Sequence, residues 1–596
     1  MHPLLRLARD YGWARRWSYL AGVLALLVTN GLAVRIPVEI GQAIDALRLG
    51  EPAGVHAAAI VLMGFGVMGV RTLSRVLFFN PGRDVEYALR RDLFAHLLRL
   101  QPAFYATQKR GDIISRASND ITWARLAMGF GLLAAVNVST AFLMTGGQML
   151  VLSPRLTAFV VAPLAVALVI VRMCILALLQ AQRDLQAETG RLSDQVLGTL
   201  QGIATVQGFR AEDAFVQRFE ARNQALYRLG MKLAWLRSVA FPLLILGSGT
   251  AVALLLGVGG PMALRGEVSV GDLAAFVALL ATLAGPLRSL GWLLSIVQQG
   301  RAGLERIFEL LDAPVERPEG PHPAPMPGPG RGPGFELRGL GFSYPDDPTR
   351  PALQDLTLTV APGSVIGVFG RTGSGKSTLI RLLARSYNPS PGAVTVVGAD
   401  GARQDLVALD LDAWRARLSA VPQRAFLFSE SLASNVALVE APDPLRLRAA
   451  VEAAALDGDL AALPQGLDTV VGERGIMLSG GQRQRAALAR GLYRDADLIL
   501  LDDVLSAVDH QTEARLVETL TRLARGPRAP TIFIVSHRLS ALRHADRILV
   551  LEQGRLVDQG SHAELLTRPG VYRESWEKQR DTGTTPEAAS QGEVAP

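Results

Sequence analysis

Long apolar runs alternate with charged stretches along the first half of the chain. A helix needs about 20 mostly apolar residues to cross the ~30 Å hydrocarbon core of a bilayer. Six runs reach this length, which favours membrane helices over the buried helices of a soluble protein. The predicted spans cover residues 17–43, 54–80, 126–151, 155–180, 239–264 and 270–298.

The loops between these spans differ in length and charge. Those after the first, third and fifth spans are short and carry one arginine each, namely Arg48, Arg155 and Arg265. Those after the second and fourth spans are long, and each carries eight lysines or arginines. Because positive charge accumulates in cytoplasmic loops, the pattern predicts a multi-pass protein of the inner (plasma) membrane with both termini in the cytoplasm.

The net charge of +7 and the sequence pI near 9.8 therefore reflect membrane topology. We expect no nucleic-acid partner, because the positive charge is accounted for by the cytoplasmic loops. The hydrophobic fraction of 49% and the mean hydropathy of +0.25 suit a protein surrounded by a lipid bilayer. The single cysteine, Cys174, excludes a disulfide framework within one chain.

The two long loops are predicted to be structured. Leucines recur at three-to-four-residue spacing between Leu89 and Leu100, which indicates a helix that extends the second span into the cytoplasm. Beyond it, residues 104–120 form one turn region, and residues 202–219 form the corresponding region of the second long loop. Each is either a docking element for a cytoplasmic domain or the tip of an ordinary helical hairpin.

A few charges lie within the predicted spans. Arg35 and Glu39 are four residues apart, so they can pair on one helix face. Arg172 lies in the fourth span. Ionisable groups at this depth usually face the bundle interior or a water-filled cavity. Contact with substrate and a purely structural ion pair both remain open here.

Residues 312–334 contain eight prolines, which is typical of an extended linker outside any core. The residues after about 580 are small and polar, which is typical of a disordered tail. These features divide the chain into four predicted parts. They are a transmembrane domain at 1–311, a Pro-rich linker at 312–334, a second domain at 335–580 and a tail at 581–596.

The second domain contains a phosphate-binding pattern. A buried strand at Val365–Phe369 precedes a glycine-rich loop, and a helix is predicted to open at Lys376. The loop fits G-x-x-x-x-G-K-[ST], in which backbone N–H groups cradle phosphates, the lysine reaches the outer phosphates and the serine hydroxyl ligates Mg²⁺. The predicted nucleotide-binding residues of this loop are Gly370, Arg371, Thr372, Gly373, Ser374, Gly375, Lys376, Ser377 and Thr378.

Two further motifs suit nucleotide chemistry. The run Leu498–Asp503 predicts a buried strand that ends in two carboxylates, with Asp502 placed to hold Mg²⁺ and Asp503 placed to orient water. Some 20 residues earlier, a Leu-Ser-Gly-Gly-Gln motif precedes a helix that we expect to begin near Arg483. Its residues, which suit an anion, are Leu478, Ser479, Gly480, Gly481 and Gln482.

In combination these motifs resemble an ABC exporter half-transporter over nearly the whole chain. The resemblance implies an all-α transmembrane bundle of six helices with long cytoplasmic extensions, joined to an α/β P-loop nucleotide-binding domain. It also implies ATP and Mg²⁺ as cofactors and a second half-transporter as partner. In this family, two nucleotide domains enclose two ATP molecules, each between one phosphate loop and the signature motif of the other subunit.

The resemblance assigns roles to further residues. Tyr344 resembles the aromatic residue that stacks on adenine, and Gln423 resembles the glutamine that contacts Mg²⁺ and senses the membrane domain. His537 resembles the switch histidine that reads the γ-phosphate, so the implied catalytic set is Asp503, His537 and Gln423. The other implied elements are the X-loop at 469–475, the D-loop at 506–509 with Asp509, and coupling loops at 104–120 and 202–219.

One position departs from the family pattern. Glutamate usually follows the Walker B aspartate, whereas this chain has Asp503, whose side chain is one methylene shorter. A displacement of about 1 Å can cost about 100-fold in rate. An intact signature motif together with Asp503 favours the slow-site subunit of a heterodimer. A homodimer in which Asp503 still works is the alternative.

The function implied by the resemblance is ATP-driven export of a small hydrophobic or amphipathic compound by alternating access. A membrane protein that is gated or regulated by ATP and transports nothing is the competing class. An importer subunit is disfavoured, because importers usually carry the ATPase on a separate chain. The substrate does not follow from the fold, because one scaffold serves many substrates.

Overall fold

Two compact units make up the computed structural model, which describes residues 2–315, 331–472, 478–506 and 508–581. In parts of 164–179, 240–248 and 284–288 it describes the backbone only. The first unit comprises Met1–Leu98 and Gly111–Ala313, and the second comprises Arg99–Arg110 and Pro314–Pro596. Four segments lie outside the described residues: the predicted linker core at 316–330, residues 473–477, position 507 and the tail from 582. The segment 473–477 includes the end of the predicted X-loop.

The first unit is entirely helical. All six predicted spans are helical, the third across α6, a π-helical turn at Ala127–Gly131 and α7. The leucine-patterned extension of the second span is helical to Arg99, as predicted. The helices up to the end of this unit are α1 (Pro3–Leu7), α2 (Arg16–Arg48), α3 (Gly54–Arg99), α4 (Pro102–Thr107), α5 (Arg110–Ser115), α6 (Ile121–Leu126), α7 (Leu132–Leu152), α8 (Pro154–Gln201), α9 (Ile203–Gly208), α10 (Glu212–Leu264) and α11 (Val270–Leu311).

By length and hydropathy, three helical stretches among the described residues qualify as membrane spans. They are Pro3–Arg48, Gly54–Arg99 and Arg110–Leu152. The shorter apolar helical stretches Gly249–Leu264 and Val270–Leu283 lie within α10 and α11. Parts of the last three predicted spans coincide with side chains outside the described residues.

Helices α2, α7 and α11 pack on one another, whereas α8 and α10 run along each other. Helix α11 begins with a capping box in which Ser269 Oγ accepts from the Asp272 N–H at 2.8 Å. Beside this cap, a Cβ atom added to Gly41 would lie 2.5 Å from the Gly271 carbonyl oxygen. Glycine at this position therefore allows α2 and α11 to approach closely.

The second unit contains two sheets. A six-stranded sheet has the order β10-β9-β3-β8-β7-β6, and its pairs are parallel except for β10 with β9. A four-stranded antiparallel sheet has the order β2-β1-β4-β5. The strands are β1 (Gly334–Ser343), β2 (Pro351–Val360), β3 (Val365–Gly370), β4 (Val394–Val397), β5 (Arg403–Asp405), β6 (Leu418–Val421), β7 (Leu498–Asp502), β8 (Thr531–Val535), β9 (Arg547–Glu552) and β10 (Arg555–Gly560).

Strand β7 shows why the parallel sheet is buried on both sides. Ile499 and Leu501 pack into one hydrophobic cluster, while Leu498 and Leu500 point into another on the opposite face. A continuous apolar run is therefore required in place of strict alternation. The helices around the sheets are α12 (Lys376–Leu383), α13 (Leu411–Ala416), α14 (Leu432–Ala437), α15 (Pro444–Ala453), α16 (Asp457–Leu460), α17 (Gly480–Tyr493), α18 (His510–Ala524), α19 (His562–Thr567) and α20 (Val571–Asp581).

The strand, loop and helix predicted around the phosphate motif are confirmed, since β3 begins at Val365 and α12 begins at Lys376. One predicted boundary is wrong. The helix expected near Arg483 begins three residues earlier, at Gly480, because Ser479 caps its N-terminus. The parallel α/β architecture is confirmed by the six-stranded sheet.

Candidate functional site

The phosphate loop owes its shape to glycines at its two ends. Gly375 has φ +96°, and a Cβ atom added there would lie 2.6 Å from the Ala352 carbonyl oxygen. At the other end, a Cβ atom added to Gly370 would lie 2.5 Å from Ser374 Oγ. Other side chains would therefore disrupt the turn that leads the chain from β3 into the N-terminus of α12, where free N–H groups favour anions.

Lys376 is folded back onto this loop. Its buried Nζ donates to the carbonyl oxygens of Gly370 at 2.8 Å and Arg371 at 2.9 Å. Burial lowers the pKa of Lys376, an effect opposed by the carboxylates of Asp503 and Asp502. The ammonium group is thus held at the mouth of the loop, from where it can exchange carbonyl partners for phosphate oxygens.

Ser377 and Asp502 form an oxygen-rich corner next to the loop. Ser377 Oγ donates to Asp502 Oδ1 at 2.9 Å. Burial raises the pKa of Asp502, and the hydrogen bond from Ser377 opposes this rise. Hydroxyl and carboxylate oxygens are the ligands that Mg²⁺ prefers when it also binds substrate phosphates. The donor set therefore fits Mg²⁺ bound together with a nucleotide.

Asp503 follows the last residue of β7 in an unusual conformation. Its φ is +52°, and its N–H donates to the Val535 carbonyl oxygen at 2.9 Å. Aspartate tolerates this left-handed region better than most residues. The side chain is buried, its Oδ2 accepts from Gln423 Nε2 at 3.4 Å, and its Oδ1 has no hydrogen-bond partner. A buried acceptor without a partner is suited to receive a hydrogen bond from a water or a ligand.

His537 lies in the same cleft as Lys376 and Asp503. Burial lowers the pKa of the His537 imidazole, and the nearby Lys376 ammonium lowers it further. The ring is therefore neutral at pH 7, with one nitrogen free to donate and the other free to accept. The backbone carbonyl of His537 accepts from Gln579 Nε2 at 2.8 Å, which fixes the loop after β8 against α20.

Tyr344 packs in an aromatic group at the edge of the cleft. Its ring centroid lies 5.2 Å from those of both Phe342 and Tyr387, in edge-to-face contacts. Its hydroxyl lies 3.0 Å from Thr378 Oγ1 and accepts from Arg381 Nη1 at 3.0 Å. The ring is thus anchored from both ends at the rim of the cleft.

These residues line one cleft of about 470 Å³. The structure brings together the two carboxylates, the lysine, the glutamine, the histidine and the tyrosine that the sequence singles out. The predicted residues that line the cleft are Tyr344, Thr372, Gly373, Ser374, Gly375, Lys376, Ser377, Thr378, Gln423, Asp502, Asp503 and His537.

The signature motif and Asp509 do not line this cleft. Ser479 Oγ accepts from the Gln482 N–H at 3.2 Å, and Gln482 Oε1 accepts from the Ser479 N–H at 2.9 Å. This reciprocal capping box orders the start of α17. Asp509 caps α18, with its Oδ1 accepting from the Thr512 N–H at 2.9 Å. Within one chain, these two motifs stay apart from the phosphate loop.

The helical unit has a cavity of its own. It encloses about 630 Å³ between α2, α3, α7 and α11. Among the charges predicted within the spans, Arg35 Nε donates to Glu39 Oε1 at 3.0 Å, as expected, and His56 Nδ1 lies 2.8 Å from Glu39 Oε2. None of these three lines the cavity, and the Arg172 side chain lies outside the described residues. The Arg35–Glu39 pair therefore lies outside this cavity.

Comparison with known proteins assigns both units. The family model of the ABC transporter transmembrane region matches residues 19–287, and the ABC transporter model matches residues 353–506. A probable multidrug resistance ABC transporter ATP-binding/permease protein of Bacillus subtilis is 33% identical, over 95% of this chain and 96% of its own length. The chain is an ABC exporter half-transporter. Its second unit is therefore an ATPase domain that binds ATP.

Other similar proteins agree with this assignment of the exporter. A multidrug resistance-like ATP-binding protein of Escherichia coli is 32% identical over 97% of each chain. An ATP-dependent lipid A-core flippase of Pseudomonas fluorescens is 34% identical over 81% of this chain and 78% of its own length. A solved bacterial Atm1-family ABC exporter with ATP bound matches with a TM-score of 0.79 and 28% identity, over 95% of this chain and 98% of that one.

The sequence analysis missed several residues of the exporter's nucleotide cleft. Asp346, Asp347 and Arg350 line it from the turn between β1 and β2. These three residues do not belong to a recognisable motif, and exposed charged residues are common in turns. Arg381 does not line the cleft but donates to the Tyr344 hydroxyl. It could have been found, because it lies three residues after Thr378 and therefore on the same face of α12.

Part of the first predicted coupling loop belongs to the ATPase unit. Residues Arg99–Arg110 cluster with that unit, and Pro102 lines a groove with Gln423 and Arg424. The groove therefore adjoins the glutamine whose amide contacts Asp503. The other predicted loop, 202–219, clusters with the helical unit.

Proposed function

We propose that this chain is one half of an exporter that uses ATP to move a small hydrophobic or amphipathic compound across the inner membrane. The single observation that carries the proposal is the complete cleft around Lys376, Ser377 and Asp502, in a chain that also encloses a cavity among membrane helices. The asymmetry of positive charge between loops supports cytoplasmic termini and a cytoplasmic ATPase domain.

The residues of the cleft divide the work on ATP. The N–H groups at the start of α12 and the Lys376 ammonium bind the phosphates, and the Tyr344 ring stacks on the adenine. Ser377, Asp502 and Gln423 would hold Mg²⁺, which would supply positive charge to offset that of the phosphates. Asp503 orients the attacking water, and the neutral His537 donates a hydrogen bond to the γ-phosphate.

The position of Asp503 supports a slow ATP site in this chain. Its carboxylate is one methylene shorter than the glutamate usual in the family, and Gln423 reaches it only at 3.4 Å. A shorter side chain holds the attacking water further from the γ-phosphate, which lowers the rate steeply. The intact motif at Ser479 would complete the faster site of a different partner subunit, so a heterodimer is the proposed assembly.

A second subunit is also supported by the surface of the helical unit. Large apolar side chains are exposed along the paired ends of α8, α9 and α10, including Phe209 at 82% and Trp235 at 66% exposure. Clustered apolar side chains that are exposed outside the predicted spans are typical of an interaction site. The motif at Ser479–Gln482 lies outside the cleft of its own chain, which further supports a site completed between two subunits.

Uptake into inside-out vesicles tests the transport function. We expect ATP-dependent accumulation of a fluorescent hydrophobic dye when this chain is produced with its partner, and none when Lys376→Ala is combined with the same change at the phosphate-loop lysine of the partner. ATP binding and hydrolysis without movement of any dye from a hydrophobic panel would instead support the competing class, an ATP-gated regulatory membrane protein. A homodimer with a working Asp503 would appear as full uptake and fast ATP turnover by this chain alone.

A further inference from the structure

Two arginines on α3 line the membrane cavity. Arg71 and Arg75 are four residues apart, so their side chains leave the same face of the helix about one turn from each other. Both side chains are exposed. The cavity therefore has two positive charges on one wall.

Neither arginine has an acidic partner. Among the described residues, no carboxylate lies within the 4.0 Å of an ion pair from either guanidinium. Other arginines of the helical unit are paired, such as Arg35 with Glu39 at 2.9 Å and Arg125 with Glu86 at 3.2 Å. Like charges at this spacing destabilise a helix, so the two arginines lower the stability of α3.

The depth of the two arginines in the bilayer supports a functional role for them. Arg71 lies 17 residues after Gly54, the start of α3, which is about 25 Å along a helix axis. In a hydrocarbon core of about 30 Å, both charges lie toward the cytoplasmic side of the bilayer. Arginines near such an interface can extend toward lipid headgroups, but these two face the cavity between helices. Ionisable groups facing a cavity at this depth usually mark a ligand path.

The rest of the cavity wall is mixed in polarity. On α2 the lining residues run from Leu26 to Ile40, a length of about 21 Å. Asn30 bridges to α7, where its Nδ2 donates to Thr140 Oγ1 at 2.6 Å and to Asn137 Oδ1 at 3.3 Å. The apolar positions on the wall are Leu26, Val34, Ile36, Ile40, Val67 and Leu133. Such a wall accepts an apolar chain along its length.

We propose that Arg71 and Arg75 bind the anionic head of an amphiphile, a phosphate or carboxylate group, while its apolar tail lies along the α2 wall. Two guanidinium groups one turn apart can bind such a head through parallel charge-assisted hydrogen bonds. The ligand's charge then relieves the repulsion within the pair. This inference rests on the proposed function, because it names the class of compound that the exporter carries.

Binding of dodecyl phosphate to the purified full chain in phosphatidylcholine nanodiscs tests the proposal. Because Arg71→Gln/Arg75→Gln removes the charge-assisted hydrogen bonds to the head, it is expected to weaken binding at least ~10-fold. The charge-conserving Arg71→Lys/Arg75→Lys should lose clearly less affinity than the glutamine variant, because Lys keeps the charge but lacks the planar guanidinium that donates two parallel hydrogen bonds. The matched control Arg48→Gln/Arg228→Gln removes two exposed charges outside the cavity and should change nothing.

Three competitor ligands sharpen the result. Dodecanol should bind equally to the wild type and to the glutamine variant. Dodecyltrimethylammonium should bind the glutamine variant at least as tightly as the wild type, because two like charges are removed. Inorganic phosphate should compete poorly because it lacks a tail. Equal affinity of the wild type and the glutamine variant for dodecyl phosphate would overturn the proposal. So would competition by inorganic phosphate as strong as that by dodecyl phosphate, and so would a loss of binding in the lysine variant equal to that in the glutamine variant.

Failure of this inference and failure of the proposed export can be told apart. ATP-driven uptake of an uncharged dye, with dodecyl phosphate binding that ignores the arginines, would leave the exporter intact and remove the anionic site. Arginine-dependent binding without ATP-driven uptake of any compound would keep the site and remove the exporter. Melting temperatures of all variants within a few degrees of wild type would show that each variant is folded.

Discussion

The nucleotide cleft and the membrane cavity are of comparable size, about 470 and 630 Å³, but they handle charge in opposite ways. In the cleft, Lys376 is held by two backbone carbonyls and Asp502 accepts from Ser377. In the cavity, Arg71 and Arg75 have no acidic partner among the described residues. One site keeps its charges in place before the ligand arrives, and the other leaves them open.

This difference reflects the ligands. The cleft receives one molecule of fixed shape, so each charge is preorganised at a defined atom, which lowers the cost of binding. The cavity lies on a transport path, where a ligand must enter and leave. A few unpaired charges on a largely apolar wall attract a class of compounds without fixing one geometry. Substitutions in one site, with ligand binding measured at both, separate the nucleotide cleft from the membrane cavity.

The largest effect is expected from Lys376→Ala in the cleft. Loss of the ammonium removes charge-assisted hydrogen bonds to the phosphates, so the affinity for ATP should fall on the order of 100-fold. Equilibrium binding of a fluorescent ATP analogue measures this. The binding of dodecyl phosphate should not change, and the exposed Lys232→Ala should leave both affinities as they are. A variant that binds ATP normally would show that the folded-back lysine is only structural.

Asp502→Asn is expected to have an intermediate effect on stability. It should stabilise the nucleotide-free protein but reduce the stabilisation that Mg-ATP provides. Burial raises the pKa of Asp502 in the folded protein. The stability that the Asp502 carboxyl contributes is therefore present below its unfolded pKa and is lost as pH rises through its folded pKa. At pH 7 the charged form therefore destabilises the nucleotide-free protein. The isosteric amide should raise its melting temperature by a few degrees, with the gain shrinking as pH is lowered.

The same variant should lose stabilisation by Mg-ATP, because the amide is a poor ligand for Mg²⁺. The exposed Asp194→Asn serves as the control and should change neither quantity. A nucleotide-free melting temperature that falls in Asp502→Asn at pH 7 would contradict the sign argued from burial.

The smallest effect is expected from Tyr344→Phe. The substitution removes the hydroxyl that contacts Thr378 and Arg381 but keeps the ring at the edge of the cleft. Because a hydrogen bond contributes about 1 kcal/mol net, the affinity for ATP should fall about fivefold or less. Tyr344→Ala, which also removes the ring, should cost more. Equal losses in both variants would assign the role to the hydroxyl and away from stacking.

Sequence reasoning succeeded in the cleft because its signals are local. The strand, turn and helix from Val365 to Lys376 follow from apolar residues, glycines and a helix start that lie next to one another in the chain. The boundary error at Gly480 came from overlooking Ser479 as a cap followed three residues later by Gln482. The antiparallel sheet escaped, because β1 also pairs with β4, which follows it only after β2, β3 and α12.

In the membrane unit, periodicity located the spans but not the faces of the helices. Arg71 and Arg75 lie inside the second predicted span, and the sequence analysis passed over them while it singled out Arg35 and Glu39. The structure reverses that emphasis, since the latter two pair with each other away from the cavity. Which face of a span meets a cavity depends on three other helices, and no local pattern encodes it.

The left-handed conformation of Asp503 depends on its place after the C-terminal end of β7, where its N–H donates to the Val535 carbonyl. It could not be predicted from sequence. The central claim, that this carboxylate is too short to complete hydrolysis quickly, is tested most directly by ATP turnover of the purified chain alone in nanodiscs. We expect slow turnover by the wild type, an increase of roughly tenfold or more in Asp503→Glu, and no change in the exposed control Asp194→Glu. Fast turnover by the wild-type chain, without improvement in Asp503→Glu, would contradict the account.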